Sequence, residues 1–184
     1  MNILVLNGSP RKNGNVAKTL RRRLEKLTAS VAADTDSNEG GCQVIWEDVC
    51  DLSFDFCKGC MACRSKSDCV MQLDDAHKIA CEIKNCDMIF VGTPVYWGNM
   101  NGKLKSLFDR LVGVMMAESK MGIPRPLHKG KKAVIVTSCT TPFPFNYICG
   151  QSIGAVRAVK EILKSSGFKV VRKVNISNTK RRGL

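Results

Sequence analysis

Ile3-Leu4-Val5-Leu6 runs directly into Asn7-Gly8-Ser9-Pro10-Arg11-Lys12-Asn13-Gly14-Asn15, after which Val16, Ala17, Leu20, Leu24 and Leu27 recur on one helical face. A short apolar run that stops at Gly, Ser, Pro and Asn is a buried strand entering a loop. Lys18, Arg21, Arg22, Arg23 and Lys26 take the other helical positions, so the helix is amphipathic and basic. The chain therefore opens as strand, loop and helix.

The same alternation continues downstream. Past the polar connection from Asp34 to Gly41, Cys42-Gln43-Val44-Ile45-Trp46 predicts a second strand nearer an edge. Asp74 and Asp75 stand at the positive end of a helix whose apolar positions are Ala76, Ile79, Ala80 and Ile83, and Met88-Ile89-Phe90-Val91 predicts the third strand. Asn101 caps a further helix with Leu104, Leu107, Phe108, Leu111 and Val112 on its buried face. Ala133-Val134-Ile135-Val136 is a fourth strand, a helix from about Gly150 to Ser165 stops at Gly167, and Phe168, Val170, Val174 and Ile176 alternate as an edge strand. Five strands alternating with helices make an α/β protein, because parallel neighbours need crossover connections. The expected architecture is a flavodoxin-like three-layer sandwich, one domain over residues 1–184, with five parallel strands in the order 2-1-3-4-5. Ligands in such sheets sit beyond the carboxyl ends of strands 1 and 3, where the connections diverge to opposite faces.

Composition narrows the function classes. The chain has 184 residues, 44% hydrophobic and 24% charged, as ordinary globular domains do. No apolar run reaches the roughly 18 residues that cross a bilayer, and the N-terminus lacks the pattern of a secretion signal. A cytoplasmic protein with no membrane partner is expected. The net charge of +13 favours anionic partners. The tail residues Lys169, Arg172, Lys173, Lys180, Arg181 and Arg182 come without a recognition motif or interleaved aromatics, so nucleic acid is not an expected partner.

Two loops carry the chemistry. After strand 1, Gly8 and Gly14 permit close backbone approach, the next helix points its amides there, Ser9, Asn13 and Asn15 add donors, and Arg11 adds charge. Five residues separate the glycines and no Gly-Lys-Ser/Thr follows, which excludes the triphosphate loop and the dinucleotide fingerprint and leaves a mononucleotide phosphate. A plain strand-to-helix turn would use similar residues. After strand 3, Pro94-Val95-Tyr96-Trp97-Gly98-Asn99-Met100 offers aromatic and polar groups to a planar ring, or to a protein contact.

These two segments, with Lys103 through Arg110, resemble the NADPH-dependent FMN reductase family over nearly the whole chain. The resemblance implies that Ser9, Arg11, Asn13, Gly14, Asn15 and Val16 hold the FMN phosphate. It implies that Pro94, Val95, Tyr96, Trp97, Gly98, Asn99 and Met100 surround the isoalloxazine ring. Val16 stands where many relatives have a hydroxyl residue, and Asn101 replaces a frequent serine. NADPH or NADH would be the hydride donor, with Arg125, Lys129, Lys131 and Lys132 available to a 2′-phosphate. A small-molecule acceptor, such as free flavin or a quinone, would take the electrons. A homodimer or homotetramer is expected from the family, with Met115, Met116, Phe143, Pro144, Phe145 and Tyr147 flanking the active end. No catalytic acid or base is needed, and His77 and His128 are solvated or structural.

Ten cysteines without an export signal do not suggest a disulfide scaffold. Cys42, Cys50, Cys81, Cys86, Cys139 and Cys149 are scattered and expected as small buried residues, whereas Cys57, Cys60, Cys63 and Cys69 crowd into one loop over 57–69. Their spacing suits a cubane cluster better than paired zinc knuckles, with zinc or a thiol role as the alternatives. It is also similar to that of the iron-sulfur flavoprotein branch, which implies a [4Fe-4S] cluster beside FMN. The alternative function is then an electron carrier between FMN, the cluster and a ferredoxin-like protein.

Overall fold

A computed structural model describes residues 1–34, 41–119 and 121–180. Residues 35–40 of the polar connection, and Arg181 and Arg182 of the basic tail, lie outside them.

β1 (Asn2–Asn7), β2 (Gln43–Asp48), β3 (Met88–Pro94), β6 (Lys132–Ser138) and β7 (Lys169–Ile176) form one parallel sheet in the order β2-β1-β3-β6-β7. Leu4 pairs with Ile45 and Ile89, and Phe90 with Val134, so the central strands are apolar on both faces. The expected numbering, 2-1-3-4-5, counted five strands in all. The structure adds a two-stranded antiparallel ribbon, β4 (Met116–Glu118) with β5 (Pro124–Pro126), ahead of the fourth sheet strand. Three-residue strands containing two prolines leave no period-two pattern to find.

Helices cover both faces. α1 (Asn15–Asp34) lays Val16 and Leu20 against Ile3, Val5, Phe90 and Val134. On the other face α3 (Asp75–Asn85), α4 (Gly102–Arg110) and α7 (Gln151–Ser165) bury Ile79, Ile83, Leu104, Leu107, Val159 and Leu163 against Leu4, Leu6, Ile89 and Ile135. Asp74 caps α3 through Ala76 N (3.1 Å), and the Asn101 Oδ1 caps α4 through Lys103 N (2.8 Å) and Leu104 N (3.3 Å). Single-turn helices α2 (Cys63–Lys66), α5 (Val112–Met115) and α6 (Phe145–Ile148) complete the described elements.

β7 departs from simple alternation. A register shift between Ala133 and Val134 puts Phe168 and Val170 on the α7 side, and Val174 and Ile176 on the α1 side. Only Cys86 and Cys139 of the scattered cysteines are buried; Cys81 and Cys149 are exposed, and Cys42 and Cys50 half-buried. His77 and His128 are structural rather than solvated: His128 is 3% exposed with Nε2 2.9 Å from the Val114 carbonyl. Among the described residues no helix is long and apolar enough to cross a membrane.

Candidate functional site

β1 ends inside the fold. Gly8 N donates to Gly92 O at 2.7 Å, and a Cβ on Gly8 would stand 2.9 Å from that oxygen and from Leu104 Cδ2. The glycine is thus required by packing between β1, β3 and α4, and its φ is not left-handed. Beyond it Asn7 Oδ1 accepts from Ser9 N (3.2 Å), Ser9 Oγ from Arg11 N (3.2 Å), and Arg11 O from Gly14 N (3.0 Å). These bonds curl the loop and deliver the chain to α1. The first-turn amides of Asn15 and Val16 find no acceptor among the described residues, which leaves donors and the positive helix end facing outward. Asn15 Oδ1 is buried and also unpaired.

The loop after β3 is a rigid hairpin. Tyr96 and Asn99 exchange two backbone hydrogen bonds of 2.9 Å, closing a turn on Trp97 (φ 50°) and Gly98 (φ 74°). Two successive left-handed residues define a primed hairpin turn, and a tryptophan there is uncommon. Its side chain is fully exposed. The buried Thr93 hydroxyl accepts from Asn101 N at 2.9 Å and donates to Pro94 O at 3.0 Å, tying the hairpin's base to the cap of α4.

The two loops meet. A cavity of about 150 Å³ is lined by Ser9, Arg11, Gly14, Asn15 and Val16 from the first and by Pro94, Val95 and Tyr96 from the second. Of the expected site residues, Asn13, Trp97, Gly98, Asn99 and Met100 are not in its lining. Asn13 Oδ1 takes the Arg21 guanidinium at 3.3 Å, Asn99 turns its oxygen back to Met100 N at 2.8 Å, and Met100 is buried in the core. Val16 is also core-facing, so its missing hydroxyl is replaced by packing against Gly92.

A third wall was not anticipated from sequence. Ser138 ends β6 and Thr140 follows it, and Thr179 comes from the segment after β7, its hydroxyl donating to Cys139 O at 3.2 Å. The signal for Ser138 and Thr140 was their place just past an apolar strand; nothing local marks Thr179.

The cysteine loop lies against α3 and α4. Arg110, 2% exposed, donates from Nη1 to Asp74 Oδ2 (2.7 Å) and to Asp55 O (2.8 Å), and from Nε to Cys69 Sγ (3.3 Å). His77 Nε2 meets the Cys69 carbonyl at 3.0 Å. Cys57 and Cys60 are exposed, while Cys63 lies against Gly113. Among the described residues no three His, Cys, Asp or Glu side chains stand close enough together to hold a metal. The four thiols as arranged here do not fit a cluster.

The lysines offered for a 2′-phosphate are misplaced. Lys132 opens β6 at the end opposite the cavity, and Lys131 Nζ caps the carboxyl end of α3 at Ile83 O (3.0 Å) and Lys84 O (2.7 Å). Met115 is likewise buried beyond the carboxyl end of α4, away from the site. Sequence order cannot tell the two ends of a strand's connections apart once an unexpected ribbon intervenes.

The profile of a family described as NADPH-dependent FMN reductase matches residues 1–178. The chain belongs to that family. An iron-sulfur flavoprotein of Methanosarcina thermophila is 37% identical over 112 residues, 61% of this chain and 53% of that protein. Another, from Methanocaldococcus jannaschii, is 30% identical over 110 residues, 60% of this chain and 51% of the relative. The chain thus spans about half the length of these curated relatives. In fold it is similar to an FMN-dependent NADH-azoreductase of Bacillus anthracis solved in complex with FMN, at a TM-score of 0.69 and 13% identity, covering 97% of this chain and 87% of that one.

The cavity of this FMN reductase family member fits the phosphate end of a flavin mononucleotide. Free first-turn amides and the Ser9 hydroxyl suit an anion, and the unpaired Asn15 Oδ1 is an acceptor for a ribityl hydroxyl. Its volume is below the roughly 300 Å³ of sites that enclose a ligand, so it does not enclose a whole flavin.

Proposed function

We propose that the protein is an FMN-dependent NAD(P)H oxidoreductase that transfers hydride through bound FMN to a free flavin, a quinone or another small acceptor. The observation that carries this reading is the single cavity joining unpaired α1 amides to the 94–96 segment of the second loop. Ser9, Arg11, Gly14 and Asn15 would hold the phosphate, with Asn13 steadying the loop through Arg21. Pro94 through Met100 would seat the ring, the hairpin supplying its edge and the buried Met100 its anchor. When bound, FMN supplies the hydride chemistry, so the polypeptide needs no nucleophile. Its residues bind, orient and desolvate. Exposed Trp97, Phe143, Phe145 and Ile148 gather at the same end, a surface that a second subunit of a homodimer or homotetramer would cover. Steady-state NADPH oxidation with added FMN tests the reading, and a roughly tenfold higher FMN requirement in Asn15→Ala but not in Lys132→Ala is expected.

A second reading is an iron-sulfur flavoprotein that passes electrons singly from FMN to a ferredoxin-like partner. The spacing of Cys57, Cys60, Cys63 and Cys69, together with the similarity to relatives named iron-sulfur flavoprotein, favours it. It requires the loop to close around a cluster, since the thiols stand apart here. Iron and sulfide counted on anaerobically prepared protein, with Cys60→Ala as control, separates the readings.

A further inference from the structure

Asn7 and Asp48 are the last residues of β1 and β2 and stand opposite each other in the parallel register. Asn7 is buried, and its carboxamide has a donor end and an acceptor end that both need partners. Nδ2 donates to Asp48 Oδ1 at 2.7 Å, and Oδ1 accepts from Ser9 N at 3.2 Å, in the loop that lines the cavity. The two bonds act in series. Without Asp48 Oδ1 nothing holds the carboxamide this way round, and the reversed amide would set its NH2 against the Ser9 N–H.

The acceptor is itself fixed. Trp46 Nε1 donates to the same Asp48 Oδ1 at 3.0 Å. The Trp46 ring centre lies 4.9 Å from the guanidinium carbon of Arg21, whose Nη1 donates to Lys12 O and Asn13 Oδ1, each at 3.3 Å. One indole on β2 thus steadies the start of the loop through Asp48 and its far side through Arg21. The exposed Lys12–Asp51 ion pair on the same loop is worth little by comparison. None of Asn7, Arg21, Trp46 and Asp48 lines the cavity.

We propose that Asp48 is a positioning residue for the flavin phosphate. Acting through Asn7, it sets Ser9 at the cavity wall, so that β2, which contributes nothing to that wall, favours FMN over the unphosphorylated flavin. The proposal rests on the reading that FMN occupies this cavity. Ser9 N and Arg11 N are spent on the loop's own bonds, which leaves the Ser9 hydroxyl and the α1 amides for an anion. Their spacing is set by where Ser9 stands. Removing the acceptor that orders a buried N–H at such a site weakens the anion by about tenfold.

The test is isothermal titration of FMN and of riboflavin into the parent, Asp48→Ala, Asp48→Asn, Asn7→Ala and the double alanine variant. Asp48→Ala is expected to weaken FMN about tenfold and to leave riboflavin unchanged. Asp48→Asn keeps an oxygen for both Asn7 and Trp46 and is expected to stay within about threefold of the parent. Because the residues act in series, the double variant is expected to lose no more than Asn7→Ala alone. Equal losses for both ligands would reduce Asp48 to a structural role and overturn the proposal. So would an Asp48→Asn variant as weak as Asp48→Ala, or losses that add in the double variant. A parent that binds no FMN would overturn the flavin reading together with this inference, whereas FMN binding that falls in Ser9→Ala but not in Asp48→Ala would overturn this inference alone.

Discussion

Gly154, in the first turn of α7, packs its Cα against the carbonyl of Gly98 so closely that a Cβ would fall 2.2 Å from that oxygen. The glycine of the Trp97-Gly98 turn is therefore seated on a helix that can carry no side chain at this position. Ala is ordinarily worth about 1 kcal/mol more than Gly inside a helix. Here Gly154→Ala is expected to lower stability by about 1–3 kcal/mol, as overpacking does, and to weaken FMN binding by displacing the hairpin. Gly102→Ala, where a Cβ meets nothing within 4 Å, serves as the opposite case and is expected to stabilise. Thermal unfolding and FMN titration of the two variants check the pair.

The proposed phosphate end of the cavity is expected to separate FMN from riboflavin. Ser9→Ala removes the hydroxyl of the loop after β1, and Asn15→Ala the carboxamide of the first residue of α1, both from the cavity lining. Each is expected to weaken FMN by about 1–2 kcal/mol, or roughly tenfold, while leaving riboflavin binding nearly unchanged. Isothermal titration with both ligands checks it, and equal losses for both would place the phosphate elsewhere.

Much of this was legible in the sequence, for identifiable reasons. Strong periodicity at Leu4–Leu6, Ile79–Ile83 and Leu104–Leu107 marks elements buried in the larger core, and Asp74 and Asn101 announce their helices because capping is local chemistry. The cavity's first two walls come from loops next to such elements. What was not legible depends on distance along the chain. Thr179 reaches the cavity only because the chain turns back after β7, and Gly154 matters only because Gly98 comes to it. The Val170 and Val174 reversal follows from a bulge, which one strand's alternation does not display. Trp97 has a left-handed backbone because a two-residue turn demands it, against its own preference.

The Arg110–Asp74 pair clasps the cysteine loop at its base. Burial pushes the Asp74 carboxyl up, but hydrogen bonds from Arg110 and His77 outweigh it and hold the carboxyl below its ordinary range. A depressed carboxylate contributes stability above its unfolded pKa, and that stability is lost as pH falls through the folded value. Arg110→Met strands a partly buried charge and is expected to cost about 3 kcal/mol. Arg110→Met/Asp74→Asn, which keeps the capping oxygen, is expected to recover part of the loss and to flatten the acid limb. Urea unfolding from pH 3 to 7 measures both.

Glu82 behaves in the opposite sense. Burial, with the neighbouring Glu47 charge, raises its pKa to about 7 although Lys78 partly offsets this, and its Oε2 is buried without a partner. A carboxyl raised in the folded state keeps its proton between the unfolded and folded values, so stability falls as pH rises toward and through 7. Glu82→Gln is expected to match the parent near pH 5 and to exceed it by on the order of 1 kcal/mol at pH 8, a figure reduced for screening by the half-exposed Lys78. Chemical unfolding at the two pH values decides it.

The most direct measurement is an anaerobic titration of flavin-free protein with FMN, followed by addition of NADPH to the saturated sample. Saturation at one FMN per chain, with the bound flavin bleached by NADPH and the affinity reduced in Asn15→Ala, is the expected result. Protein that takes up no FMN, or holds it with unaltered affinity in Asn15→Ala and Ser9→Ala, would contradict the assignment of the β1 and β3 loops as the flavin site.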